Sequence, residues 1–209
     1  MSPPVILDAG PSLNFFATNS ERLLIRVVGP LTLPRTVYRE IAGKAARDPR
    51  FESASRTLGK LRGSKFLTVL DDVYSDTLGG VVVRMTGQSF ARRVLEPKNL
   101  GEIMVIAHAV VLAEAGTDVG VLVDDGQGAR LATLESRRLR RLQQQGRSVG
   151  TVSLMRTATV LEKAIRDGCF GDRGELRKLY ERMRGLDDGL VPIEDTGLLH
   201  KPLWRRKQG

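Results

Sequence analysis

Five carboxylates stand where apolar segments end or helices begin. Asp8 follows Pro4-Val5-Ile6-Leu7, and Glu40 lies within Thr36-Val37-Tyr38-Arg39-Glu40-Ile41. Glu102 follows Leu100-Gly101, and Asp124 and Asp125 follow Val121-Leu122-Val123. In an open parallel sheet the C-terminal strand ends converge on one crevice, where ligands bind. Carboxylates gathered there repel one another, and a hard divalent cation is the usual compensation. An all-oxygen donor set points to Mg2+ or Mn2+ rather than Zn2+. Such an ion acidifies a bound water, orients a phosphate and offsets charge on a leaving oxygen, which is the chemistry of phosphodiester hydrolysis.

Each acid also has a plainer role. Asp8 before Ala9-Gly10-Pro11 suits a helix N-cap. Glu40 beside Arg39 reads alone as a solvated surface charge. Glu102 near a helix start is favoured by the helix dipole. Asp124-Asp125-Gly126 reads as a turn. Order and spacing, rather than any single residue, carry the metal reading.

The elements that would position these acids alternate in type. Short apolar runs at 5–7, 31–33 and 119–123 read as buried strands, and 65–70 reads as an edge strand. A last short strand is expected at 148–152. Helices are expected after Pro11, from Ser20 to Val28, from a Thr36 cap, and over 47–63. Further helices are expected over 81–95 after a loop at 71–80, and over 101–115, 128–145, 153–167 and 173–184. The 101–115 segment is apolar nearly all round, so its start belongs at the protein's centre. Strands alternating with helices predict an α/β fold, a three-layer α/β/α sandwich with a mostly parallel sheet. The expected organisation is one domain over 1–185, enlarged by a helical segment at about 50–97, and a C-terminal extension over 186–209 ending in a basic, mobile tail.

Composition narrows the classes. The 209 residues are 41% hydrophobic but only 5% aromatic, so the core should be aliphatic. The formal net charge of +9 favours polyanionic partners. Cys169 is the one cysteine, which excludes an intrachain disulfide and a Cys-rich zinc site and fits the cytoplasm. His108 and His200 are too scattered for a histidine metal centre. No secretory signal and no apolar run of the ~18 residues that suggest a membrane span is visible. No Gly-Lys-Ser/Thr phosphate loop and no Ser-His-Asp or Cys-His pairing competes with the acids.

The ordered motifs resemble the PIN-domain ribonucleases, which include VapC-like toxin nucleases. Val5-Ile6-Leu7-Asp8-Ala9-Gly10-Pro11 looks like the family's first strand and acid, and Thr36-Val37-Tyr38-Arg39-Glu40-Ile41 like the helix bearing the second. Leu100-Gly101-Glu102 with Ile106-Ala107-His108-Ala109 resembles the third-acid helix. Val123-Asp124-Asp125-Gly126 with Ala129-Arg130-Leu131-Ala132 resembles the fourth segment and registers the acid at Asp125, with Asp124 a neighbour able to take over. Gln127 departs from the family, where many members carry another acid.

The resemblance implies an endoribonuclease assisted by Mg2+ or Mn2+, often a homodimer, with an inhibitory antitoxin protein as a further partner. Asp8, Glu40, Glu102 and Asp125 are its candidate catalytic residues, and Asp8, Glu102, Asp125 and Asp124 its candidate metal ligands. Ser12, Arg130, Arg137, Arg138 and Arg141 are the candidate nucleic-acid contacts. The four arginines within 137–141 read either as a phosphate track or as a solvated helix face. Trp204 with Arg205, Arg206 and Lys207 reads either as a nucleic-acid grip or as a flexible tail. Two other functions fit the same sequence: a nucleic-acid-binding module without catalysis, and a nuclease acting on DNA structures.

Overall fold

The computed structural model describes residues 3–187 and 189–204. Five parallel strands form one sheet: β1 (Val5–Leu7), β2 (Leu31–Pro34), β3 (Leu67–Leu70), β4 (Val119–Leu122) and β5 (Val152–Met155), in the order β3-β2-β1-β4-β5. Val5 pairs with Leu31 on one side and Gly120 on the other. The three central strands are buried along their whole length, whereas β3 and β5 are partly exposed at the edges. Burial on both faces is why the central strands read as continuous apolar runs instead of alternating ones.

Helices between the strands are α1 (Ala9–Ala17), α2 (Glu21–Val28), α3 (Arg35–Arg47) and α4 (Glu52–Leu61), with a 3-10 turn at Pro49–Phe51. Then come α5 (Asp76–Thr86), α6 (Phe90–Arg93), α7 (Leu100–Glu114) and α8 (Gly126–Gln144), and after β5, α9 (Thr157–Arg166) and α10 (Arg173–Arg184). The chain moves from β1 to β3 in one direction and from β4 to β5 in the other. Right-handed crossovers therefore put α1–α4 and α8 on opposite faces, giving the α/β/α sandwich. Helix α7 lies on the sheet against β1, β2, β4 and β5. That contact explains its all-round apolar surface: Ile103, Met104, Val105, Ile106, Ala109 and Val110 are all buried. Truncating Ile106, which is fully buried, to Ala is expected to cost ~2–5 kcal/mol.

Several boundaries differ from the sequence reading. The expected loop at 71–80 and helix at 81–95 resolve into α5, which starts earlier at Asp76, and the separate α6. The Ser75 hydroxyl caps α5 by accepting from the Leu78 amide at 3.2 Å, and Gly87 ends the helix in the left-handed conformation at φ +72°. The last strand is 152–155 rather than 148–152, because Gly150 instead packs against the Thr117 carbonyl. Thr36 does not cap α3: the helix starts at Arg35, and the Asp72 carboxylate accepts from the Thr36 amide at 2.6 Å. An acid from a distant segment thus does what a local cap would do.

Of the segment at 50–97, Leu67–Leu70 pairs with β2 and completes the sheet. In the C-terminal extension, Leu190, Ile193 and Leu198 are buried, so the packed body continues well past 185. The Trp204 indole donates to the Leu198 carbonyl at 2.8 Å, which ties that ring to the body rather than leaving it free to stack a base. Arg205, Arg206 and Lys207 lie outside the described residues. No helix among the described residues is long and apolar enough to cross a membrane.

Candidate functional site

A doubly wound sheet opens a crevice where the chain changes direction, here beyond the C-terminal ends of β1 and β4. Asp8 follows β1 directly, and Asp124 and Asp125 follow β4 after Val123. The Asp8 amide donates to the Leu122 carbonyl at 3.0 Å, so the two strand ends are fastened side by side where the acids emerge.

Helices bring the other two acids to the same place. A Cβ added at Gly101 would stand 2.8 Å from Glu40 Oε2 and 3.7 Å from Asp8 Oδ1. The start of α7 therefore lies against both carboxylates, and only a residue without a side chain permits that approach. Glu102 is one residue further, and a Cβ at Gly128 would touch its Cβ and Cγ at 3.6 Å. Gly128 in turn donates to Asp125 Oδ1 at 3.3 Å. Asp8, Glu40, Glu102 and Asp125 thus surround the junction of α3, α7 and α8 at the switch point.

Burial dominates the electrostatics, opposed only in part by Lys44 at Glu40 and Arg156 at Asp124. Asp8 is only 7% exposed, and burial pushes its carboxyl up to about 6. The Ala9 and Gly10 amides work against this rise, while Glu40 and Asp124 add to it. Burial, with Asp8, Asp125 and Glu40 nearby, pushes Glu102 up to about 7. Glu40 is an exposed residue overall, but its carboxylate end is turned inward, and burial raises it against the opposing pull of Lys44. Burial also raises Asp124 in spite of its hydrogen bonds to Thr157. Groups that each favour protonation and face one another are the pattern expected of a functional site.

The two aspartates after β4 have different work. Asp125 caps α8, its Oδ1 accepting from the Gln127 amide at 2.6 Å. Asp124 accepts from the Thr157 amide at 2.8 Å and from its hydroxyl at 2.5 Å, capping α9. Glu102 differs from both: its Oε2 is buried with no hydrogen-bond partner. Such an orphaned oxygen, beside carboxylates that form no ion pair among the described residues, fits a site for a hard cation. The carboxylates are not drawn into a finished cage, since no three acid, histidine or cysteine side chains among the described residues are placed to hold a metal ion.

The candidate nucleic-acid contacts fare unevenly. Ser12 is fully buried and donates to the Asp8 carbonyl at 2.6 Å, so it holds the turn after β1 and is closed to a nucleic acid. Arg138 is committed elsewhere: it pairs with Glu114 and with Glu135, the latter at 2.9 Å, while Arg84 joins the same group by pairing with Glu114 at 3.0 Å. Its charge serves the packing of α5, α7 and α8 rather than a phosphate track. Arg130, Arg137 and Arg141 are exposed.

Sequence reasoning missed Thr157, Asn99 and Asp187. The expected helix over 153–167 puts Thr157 inside its first turns, whereas β5 runs to Met155 and Thr157 is the first residue of α9. Asn99 Nδ2 donates to Gln127 Oε1 at 2.6 Å, joining the starts of α7 and α8. Asp187 adds a further negative charge near Asp124 and accepts from the buried Asn14 at 2.8 Å. No local signal in the sequence marks it.

A groove of about 970 Å³ runs between α2 and α10, and none of these acids is among the described residues that line it. Its size is a weaker guide to chemistry than the converging, desolvated carboxylates. The chain matches no known protein family, no curated protein and no solved structure.

Proposed function

We propose that the protein is a Mg2+- or Mn2+-dependent endoribonuclease whose site is formed by Asp8, Glu40, Glu102 and Asp125, with Asp124 as a supporting acid. The observation that carries this reading is the approach of these desolvated side chains at the switch point, none of them in an ion pair among the described residues. Asp8 and Glu102 would hold the ion most directly, since Asp124 and Asp125 are already occupied as helix caps. Once bound, the ion would supply an acidified water and charge neutralisation at the phosphate. The protein's own part is to keep the carboxylates desolvated, to fix Asp8 between paired strand ends, and to hold Glu102 unpartnered.

The substrate class rests on the resemblance to PIN-domain ribonucleases and on the +9 charge, which suits a polyanion. The same resemblance leads us to include a homodimer and an antitoxin protein in the proposal, together with a cytoplasmic setting. Glu102→Gln is expected to abolish Mn2+-dependent cleavage of RNA while leaving the circular dichroism spectrum unchanged. Full cleavage by that variant would refute the assignment.

A second reading is a binding module without catalysis. It is favoured by the capping roles of Asp124 and Asp125 and by Gln127, which bonds Asn99 and brings no charge. Titration calorimetry with MnCl2 separates the two, because a pure binding module takes up no ion. A nuclease for DNA structures is distinguished by offering RNA and flap DNA side by side.

A further inference from the structure

A second cavity, of about 450 Å³, is lined by residues that neighbour the acid-bearing segments of α3 and α7 in sequence. It lies within the usual range of small-molecule pockets, ~300–1,000 Å³. One wall is the start of α3, with Thr36 and Arg39; the other is apolar, from Val73, Val94 and Leu100. The chain connects both walls to the acidic site. Arg39 precedes Glu40 on α3, and Thr36 and Glu40 are four residues apart on one face of that helix. Leu100 precedes Gly101, the residue against which Glu40 and Asp8 pack.

The charges around this cavity are mostly engaged. Asp72 is held by the Thr36 amide at 2.6 Å and by His108 Nε2 at 2.7 Å, and Arg35 is paired with Asp71. Among the described residues Arg39 forms no ion pair, and it is exposed. An apolar recess beside one uncommitted guanidinium, opening next to a phosphodiester-cleaving site, matches a nucleotide: an apolar base with an anionic group at its edge.

We propose that this cavity receives the base of the nucleotide flanking the scissile phosphate of a single-stranded RNA, its wall formed by Val73, Val94 and Leu100, with Arg39 on the adjoining phosphate. The assignment deepens the ribonuclease reading and rests on it for the choice of RNA. Among the described residues the lining has no aromatic ring, so the base is held by aliphatic contact rather than by stacking.

The test is fluorescence anisotropy of a labelled single-stranded oligoribonucleotide, and of the DNA of the same sequence, with the full chain in EDTA. Val73 is 71% exposed, so Val73→Glu is compatible with folding, which circular dichroism checks. Val73→Glu is expected to weaken RNA binding at least tenfold by placing a carboxylate in the recess. Arg39→Ala is expected to weaken it several-fold and to make the dependence of log K on log salt shallower by about 0.7, one phosphate contact on a single strand. Arg22→Ala, in the groove between α2 and α10, is the control and should leave binding unchanged. Wild-type affinity in both Arg39→Ala and Val73→Glu overturns the proposal, as does equal binding of RNA and DNA or no RNA binding by the wild type. Because cleavage is absent in EDTA, the two readings fail separately. Binding that depends on Arg39 in a protein that cleaves nothing with Mn2+ sinks the hydrolase reading alone. Cleavage with binding indifferent to both substitutions sinks the cavity assignment alone.

Discussion

Asp8→Asn should make the metal-free protein more stable at neutral pH, although it alters a buried polar residue. Burial moves the Asp8 carboxyl from an ordinary 3.8 to about 6. A folded pKa above the unfolded one means that the native state binds more protons in this window, so stability falls as pH rises. The stability is fully present below 3.8 and is lost as pH rises through about 6. The shift is about 2 units, and at ~1.36 kcal/mol per unit the ionised carboxylate costs up to about 3 kcal/mol near pH 7.5. Asparagine keeps the shape and cannot ionise, so it escapes that cost. Urea unfolding of wild type and Asp8→Asn in EDTA should therefore show a difference of up to about 3 kcal/mol at pH 7.5, shrinking towards zero near pH 4. Mn2+ at ~1,000 times its Kd should reverse the ranking, because it stabilises only the protein that binds it, by ~4.1 kcal/mol. Equal stability at every pH, or destabilisation that ignores pH, would refute the claim that Asp8 is buried uncompensated.

Other outcomes follow from the same geometry. Gly101→Ala improves helix propensity by up to ~1 kcal/mol, yet its Cβ would stand 2.8 Å from Glu40 Oε2 and must push that carboxylate aside. Thermal melts should show an intact fold, and Mn2+ calorimetry should show weakened binding. Thr157→Val removes the hydroxyl that donates to Asp124 at 2.5 Å and should destabilise by ~1–3 kcal/mol in urea unfolding, while Thr157→Ser retains most of the stability. Arg138→Ala strips one partner from Glu135, which is 7% exposed, and should cost several times more stability than Arg137→Ala on the exposed face of α8, measured the same way.

What could be read in the sequence was what repeats along it. Val5-Ile6-Leu7 and Val119-Gly120-Val121-Leu122 are buried on both faces, so their composition alone marks central parallel strands. Helix α7 was legible for the same reason. The short edge strand β5 was misplaced because Val149-Gly150-Thr151-Val152 carries as much β preference as Val152-Ser153-Leu154-Met155, and only pairing with β4 decides between them. The acids were legible as a set because strand ends in a parallel sheet share one edge. Their partners were not. Asp72 under Thr36, Asn99 on Gln127 and Thr157 on Asp124 are contacts between remote segments, and neither propensity nor periodicity encodes them. Ser12 and Arg138 illustrate the reverse: residues of suitable type whose bonds are already spent inside the fold.

Asp72 acts as a ruler. One of its oxygens meets Thr36, a turn before Glu40 on α3, and the other meets His108, six residues after Glu102 on α7. A single side chain in the connection leading out of β3 thus spans two helices that also pack directly on each other. Lengthening or shortening that connection would shift the spacing of the acids without substituting any of them, and under the metal-dependent reading proposed above it is the natural handle on ion size.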